Sequence, residues 1–193
     1  MRLALVVSCM VATVASAAPN KHEHGTLVIL IDRSGSMQGN RLDAAKAAMN
    51  AAASALDPTD DIEIVAFDSD AMVFVRLEPA AKVDKRNIDR LQAGGGTDYL
   101  PALELAHQSL AKLKGKKHVV LLSDGEAPAD GLVERIHQMR ESGITLSAIG
   151  IGDADRELLK TLADAGDGRV YMADDLSVLT KLFVQEALTA LPR

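Results

Sequence analysis

Leu27-Val28-Ile29-Leu30-Ile31-Asp32-Arg33-Ser34-Gly35-Ser36-Met37 is the stretch that decides the fold of this chain. Its first five residues are apolar without alternation, which predicts a central parallel strand buried on both faces. The run stops at a carboxylate, and hydroxyls follow at Ser34 and Ser36. That spacing sets one acid and two neutral oxygens on a tight loop leaving a strand. Hard cations such as Mg²⁺ take oxygen ligands and usually keep several waters. A single carboxylate with two hydroxyls leaves such an ion with positive charge to spare, enough to attract a carboxylate from another molecule.

Working outward, strands and helices alternate. Leu42, Ala45, Met49, Ala52 and Leu56 follow at helical spacing, with Asn40 expected as N-cap, Asp43 as its partner in the first turn and Asp57-Pro58 as the stop. Ile62–Phe67 and Ala71–Leu77 read as strands joined only by Asp68-Ser69-Asp70, too short a link for a parallel crossover, so this pair is expected to be antiparallel. A short helix is expected over 82–91, then the break Gly94-Gly95-Gly96, then a helix from Tyr99 to Lys112 with Leu103, Ala106, Leu110 and Leu113 inward. Further strands are expected at His118–Ser123, Ile144–Ile149 and Arg169–Met172, and helices at 130–141, 156–163 and 176–188. Such alternation implies an α/β layered fold, and ligands in these sheets sit at the carboxyl ends of the strands.

Three loops are expected at that edge. They carry Asp32, Ser34 and Ser36; Gly94-Gly95-Gly96-Thr97-Asp98; and Ser123-Asp124-Gly125. Asp124 beside Asp32 would repel it, a cost that a divalent ion removes. The same residues also have purely structural readings. Ser34 and Ser36 can satisfy loop amides, Asp124 can cap a turn, and Asp98 is expected to cap the helix at Tyr99. Asp68 and Asp70 read as hairpin-turn residues, and Glu126, Asp153 and Asp155 as loop and first-turn acids.

The strings D-R-S-G-S-M, G-G-G-T-D and L-L-S-D-G, in this order and each after the right element, resemble the three parts of the metal-ion-dependent adhesion site of von Willebrand factor type A domains. Q-G-N-R-L-D-A-A-K after the first string is similar to the bacterial members. The resemblance covers 26–190 and implies a Rossmann-like, doubly wound, mainly parallel six-stranded sheet with one antiparallel edge strand and helices on both faces. It also implies that Asp32, Ser34 and Ser36 hold Mg²⁺ or Mn²⁺, that Thr97 coordinates directly or through water, and that Asp124 acts through water. The implied partner is a protein that offers an Asp or Glu carboxylate to the cation.

Residues 1–17 read as a secretory signal peptide: Arg2, an apolar stretch from Leu3 to Val14, and Ala15-Ser16-Ala17 as the cleavage site. The stretch falls short of the roughly 20 apolar residues of a membrane-spanning helix. Cys9 lies too early for a lipoprotein processing box, so a secreted or periplasmic chain without thiols is expected. Residues 18–25 read as a linker, with no role expected for His22 and His24. The formal charge is −6, or −7 without Arg2, and aromatics make up 3 % of residues with no tryptophan. Nucleic acid is therefore excluded as a partner, and base or sugar stacking is poorly supplied. Lys112, Lys114, Lys116 and Lys117 read as a solvated helix end, and His107, His118 and His137 as partly exposed packing residues.

Enzymatic signatures are missing. There is no phosphate-binding glycine loop, no zinc pair on a helix and no nucleophile elbow. Histidine is absent from all three loops, so hydrolysis by metal-bound water lacks a general base. The expected function is a cation-mediated binding module. The alternatives are a metal-stabilised scaffold and, far behind, a metal-dependent hydrolase.

Overall fold

The computed structural model describes residues 23–191. The expected signal peptide and most of the linker lie outside them. Six strands, β1 (Gly25–Asp32), β2 (Asp61–Phe67), β3 (Ala71–Pro79), β4 (Lys116–Ser123), β5 (Ile144–Ile151) and β6 (Val170–Ala173), form one sheet in the order β3-β2-β1-β4-β5-β6. All neighbouring pairs are parallel except β2–β3, which is an antiparallel hairpin at one edge with a shifted register near Ile64. Five strands thus run one way and the edge strand β3 runs against them, as expected from the sequence.

Helices α1 (Asn40–Ala55), α2 (Lys85–Asp89), α3 (Leu100–Leu110), α4 (Leu132–Glu141), α5 (Arg156–Ala165) and α6 (Leu179–Ala190) cover both faces. Leu27, Ile29 and Ile31 point into a core with Leu42, Met49 and Ala52 of α1 and Leu179 and Phe183 of α6. Val28 and Leu30 point the other way, against Leu103 and Ala106 of α3, Ile136 of α4 and Leu162 of α5. Two cores on two faces explain why the 27–31 run shows no alternation. The winding reverses between β1 and β4, so the crevice of this doubly wound sheet opens where Asp32 and Asp124 leave their strands.

Several local expectations are corrected. Gly39, at φ +80°, rather than Asn40, precedes α1 as its N-cap, and its carbonyl accepts from Asp43 N at 3.0 Å. A glycine backbone takes that torsion without strain, so no side-chain cap forms. The helix expected from Tyr99 starts at Leu100, yet Asp98 Oδ1 still accepts from Leu100 N at 2.9 Å. Lys116 and Lys117 are not a helix end but the start of β4, and Lys117 is buried with its ammonium on Ser142 O. His24 is held by Asp61, 3.0 Å from its Nε2.

The largest correction concerns His118. It is 2 % exposed and shares the α6 side of β4 with Val120 and Leu122. Its Nδ1 lies 2.7 Å from Thr145 Oγ1 and its Nε2 lies 3.1 Å from Glu186 Oε1. Glu186, on the buried stripe of α6 with Leu179, Phe183 and Ala187, accepts hydrogen bonds from Ser147 Oγ (2.6 Å), Tyr171 OH (2.8 Å) and both Nε and Nη2 of Arg169 (3.0 Å each). Burial pushes its carboxyl up, but these partners outweigh burial and hold it well below the usual carboxylate range. The cluster ties α6 to β4, β5 and β6.

A carboxylate with a depressed folded pKa stabilises fully above its unfolded value and loses that contribution as pH falls toward the folded one. Glu186→Gln is expected to cost about 2–3 kcal/mol at neutral pH in urea denaturation. It is also expected to flatten the loss of stability that the parent shows as pH drops below the ordinary glutamate value of 4.5. Equal stability of parent and variant at pH 7 contradicts this role.

Candidate metal centre

The loop after β1 leaves the sheet through a turn in which Asp32 folds back on its own chain. Asp32 is fully buried, and its Oδ1 accepts from Ser34 N at 2.7 Å. Its Oδ2 accepts from Ser123 Oγ at 2.5 Å. Ser34 is buried and Ser36 exposed, with their hydroxyl oxygens 3.0 Å apart. Ser36 Oγ donates to Asp124 Oδ1 at 2.8 Å. Its one proton being committed there, Ser34 is the donor between the two serines. A continuous path thus runs Asp32–Ser34–Ser36–Asp124, joining the ends of β1 and β4. Four of the five residues singled out in the sequence meet directly.

Thr97 arrives on the glycine-rich loop. Its Oγ1 sits 3.5 Å from the point where a side chain at Gly125 would begin, which places it beside the Asp124 turn, and it makes no hydrogen bond among the described residues. The loop is fastened on two sides. Gly94 N donates to Arg33 O (2.7 Å), Gly35 N to Gly95 O (3.1 Å), and Asp98 N to Asp68 O (2.8 Å). Gly95 takes φ +88°, and a Cβ there would stand 2.8 Å from Asp68 Cβ, so only glycine lets the loop close on the β2–β3 turn. Arg33 pins the same corner by pairing with Asp68 and donating to Gln92 O at 3.2 Å. Asp68 is therefore more than a turn residue: burial pushes its carboxyl up, but the hydrogen bond from Asp70 N and the pairing with Arg33 hold it below the ordinary value.

Three contributors were not singled out in the sequence. Ser123 bridges to Asp32. Tyr99, fully buried, sends its hydroxyl to Ser123 Oγ (2.9 Å) and Gly125 O (3.0 Å) and sets its ring edge-on to Phe67, 5.6 Å away. Burial, chiefly, pushes that phenol up to about 12, so it stays a proton donor. Arg41 donates to Asp124 Oδ2 at 2.5 Å. Ser123 and Arg41 stand within the quoted motifs, and Tyr99 directly after one; the signal was their position, not their type.

The donor set is wholly oxygen: two carboxylates and three hydroxyls. That suits a hard divalent cation and not a soft one. Asp32 carries charge at a cost. Burial raises its carboxyl above the ordinary value, the charge of Asp124 adds to the rise, and the bonds from Ser123 and Ser34 reverse it only in part. Asp32, Ser34, Ser36, Thr97 and Asp124 could together hold such an ion.

The comparisons with known proteins agree with this frame. The chain is 31% identical over 173 residues to the uncharacterised protein YfbK of Escherichia coli (strain K12), a match that spans 83% of this chain and 30% of that protein. The chain therefore spans about a third of the length of that relative. A von Willebrand factor type A structure from Catenulispora acidiphila superposes with a TM-score of 0.77 at 30% identity, over 88% of this chain and 43% of that one. Proximal thread matrix protein 1 from the mussel byssus, solved with a zinc-occupied MIDAS motif, shares the fold with a TM-score of 0.74 at 21% identity, over 89% and 47% of the two chains. The family model for the von Willebrand factor type A domain matches residues 26–185, and the chain belongs to that family.

Proposed function

We propose that this chain is an exported, non-enzymatic binding module that captures a protein partner through a divalent cation. Asp32, Ser34, Ser36, Thr97 and Asp124 hold the ion, Mg²⁺ or Mn²⁺. The observation that carries this reading is the hydrogen-bonded path from Asp32 through Ser34 and Ser36 to Asp124, which brings two strand ends to one cluster of oxygens. The zinc-occupied MIDAS of the mussel protein supports a metal at the corresponding place in a relative of the same fold.

The chain's own groups divide the work. Asp32 supplies the buried charge, and Ser123 with Tyr99 fixes the orientation of its carboxylate. Ser34, Ser36 and Thr97 add oxygens without adding charge, and with Asp124 acting through water Asp32 is the one carboxylate in direct contact, so the bound cation keeps positive charge at the rim. Ser36 is exposed, which leaves that side open to an incoming Asp or Glu. The cation, when bound, supplies an electrophilic anchor for that carboxylate. Export rests on the signal-like residues 1–17 and places the chain in the periplasm or outside the cell. Among the described residues no helix is long and apolar enough to cross a membrane.

A second reading, a scaffold that needs no metal, draws on the Arg41–Asp124 pair, which already compensates one buried carboxylate. Thermal melts separate the two. A ligand at 100 times its dissociation constant stabilises by about 2.7 kcal/mol, so millimolar Mg²⁺ or Mn²⁺ is expected to raise Tm by roughly 5–10 °C for a domain of this size. Unchanged melts at all metal concentrations favour the scaffold. The binding function is tested by pull-down from envelope extract of the source cells. Capture is expected in Mg²⁺, with loss both in EDTA and in Asp32→Ala. Capture that survives both treatments contradicts the proposal.

A further inference from the structure

Helix α1 opens with Asn40-Arg41, which sets a cation in its first turn. A helix N-terminus carries partial positive charge and favours acids, so local electrostatics oppose arginine there. What offsets this is Asp124. Arg41 Nη1 donates to its Oδ2, and the Asp124 side chain is wholly buried while the arginine keeps about a third of its surface in water. The guanidinium also rests on the loop after β5: a Cβ at Gly152, which has φ +58°, would stand 2.9 Å from Nη2. The backbone leaves a seat for the arginine that a side chain would fill.

Asp124 therefore has both oxygens engaged, one by Ser36 and one by Arg41. Among the described residues, Arg41 is the one cationic side chain in contact with either site carboxylate. A buried carboxylate without a positive partner is costly, and removing one partner of such a pair leaves that cost uncompensated. A divalent cation acting on Asp124 thus competes with a cation the fold already provides.

We propose that Arg41 is the resident counter-cation of this centre. It neutralises Asp124 when no metal is bound, yields that carboxylate when metal arrives, and so lowers metal affinity while holding the metal-free form together. Arg41 is a positioning residue and not a ligand. The inference rests on the metal reading above and deepens it, because a competing Arg41 raises the metal concentration at which the site fills.

The test uses the whole domain with Mg²⁺ or Mn²⁺ alone as the probe. Wild type, Arg41→Gln, Arg41→Lys and Asp32→Ala are titrated by calorimetry and melted in EDTA. Arg41→Gln is expected to bind metal about tenfold more tightly, a change of about 1.4 kcal/mol. Its metal-free Tm is expected to fall by about 3 °C. Arg41→Lys, which keeps the charge for a single contact, is expected to stay within about threefold of wild type, less than 1 kcal/mol. Metal affinity of Arg41→Gln equal to or weaker than that of a metal-binding wild type overturns this inference and leaves the metal reading standing. Absence of binding in wild type and in every variant overturns both.

Discussion

Two carboxylates buried at neighbouring strand ends are the constraint on which the rest of the structure depends. Asp32 and Asp124 stand at the point where the sheet reverses its winding, both nearly out of water. Like charges held there are unfavourable, and the surrounding loops are arranged to offset them. Ser34 N and Ser123 Oγ serve Asp32; Ser36 Oγ and Arg41 serve Asp124. The glycine-rich loop closes over the same corner through backbone bonds to Arg33, Gly35 and Asp68. Each of these is a neutral or singly charged answer to a demand that, in the proposed function, a divalent ion completes.

The fold keeps this demand away from its own integrity. The two apolar cores lie on the faces of the sheet, and the acids lie at its edge. Glu186, buried under α6, is handled differently. It is surrounded by His118, Ser147, Arg169 and Tyr171 and satisfied within the chain. One acidic site is thus closed and structural, fixing α6 to the sheet. The other has an exposed serine, a threonine with no hydrogen bond among the described residues and an arginine partly in water. That contrast supports the proposal that the first holds the fold and the second meets a ligand.

Much of this was legible in the residues. The unalternated 27–31 run announced a strand covered on both faces, and the three-residue link at 68–70 required the antiparallel hairpin. The three motifs placed four site residues in direct contact and the fifth beside them. What escaped was everything set by tertiary partners. His118 looked like an isolated polar residue because Glu186 lies far along the chain, yet Glu186 interrupts the apolar stripe Leu179-Phe183-Ala187 and its burial followed from helical spacing. Lys117 looked solvated because nothing local shows that Ser142 O will meet its ammonium. Asn40 lost its capping role to a glycine torsion that composition does not reveal. Arg41 was visible as a residue, but its meaning depends on an aspartate contributed by another strand.

The central claim is that oxygens from three separated loops enclose one divalent ion. Crystals grown in Mn²⁺ and measured at the manganese absorption edge test it most directly. A single anomalous peak bounded by Asp32, Ser34 and Ser36, with Thr97 and Asp124 around it, is the expected result. Full occupancy of Mn²⁺ elsewhere, or no peak among these side chains at saturating Mn²⁺, contradicts it.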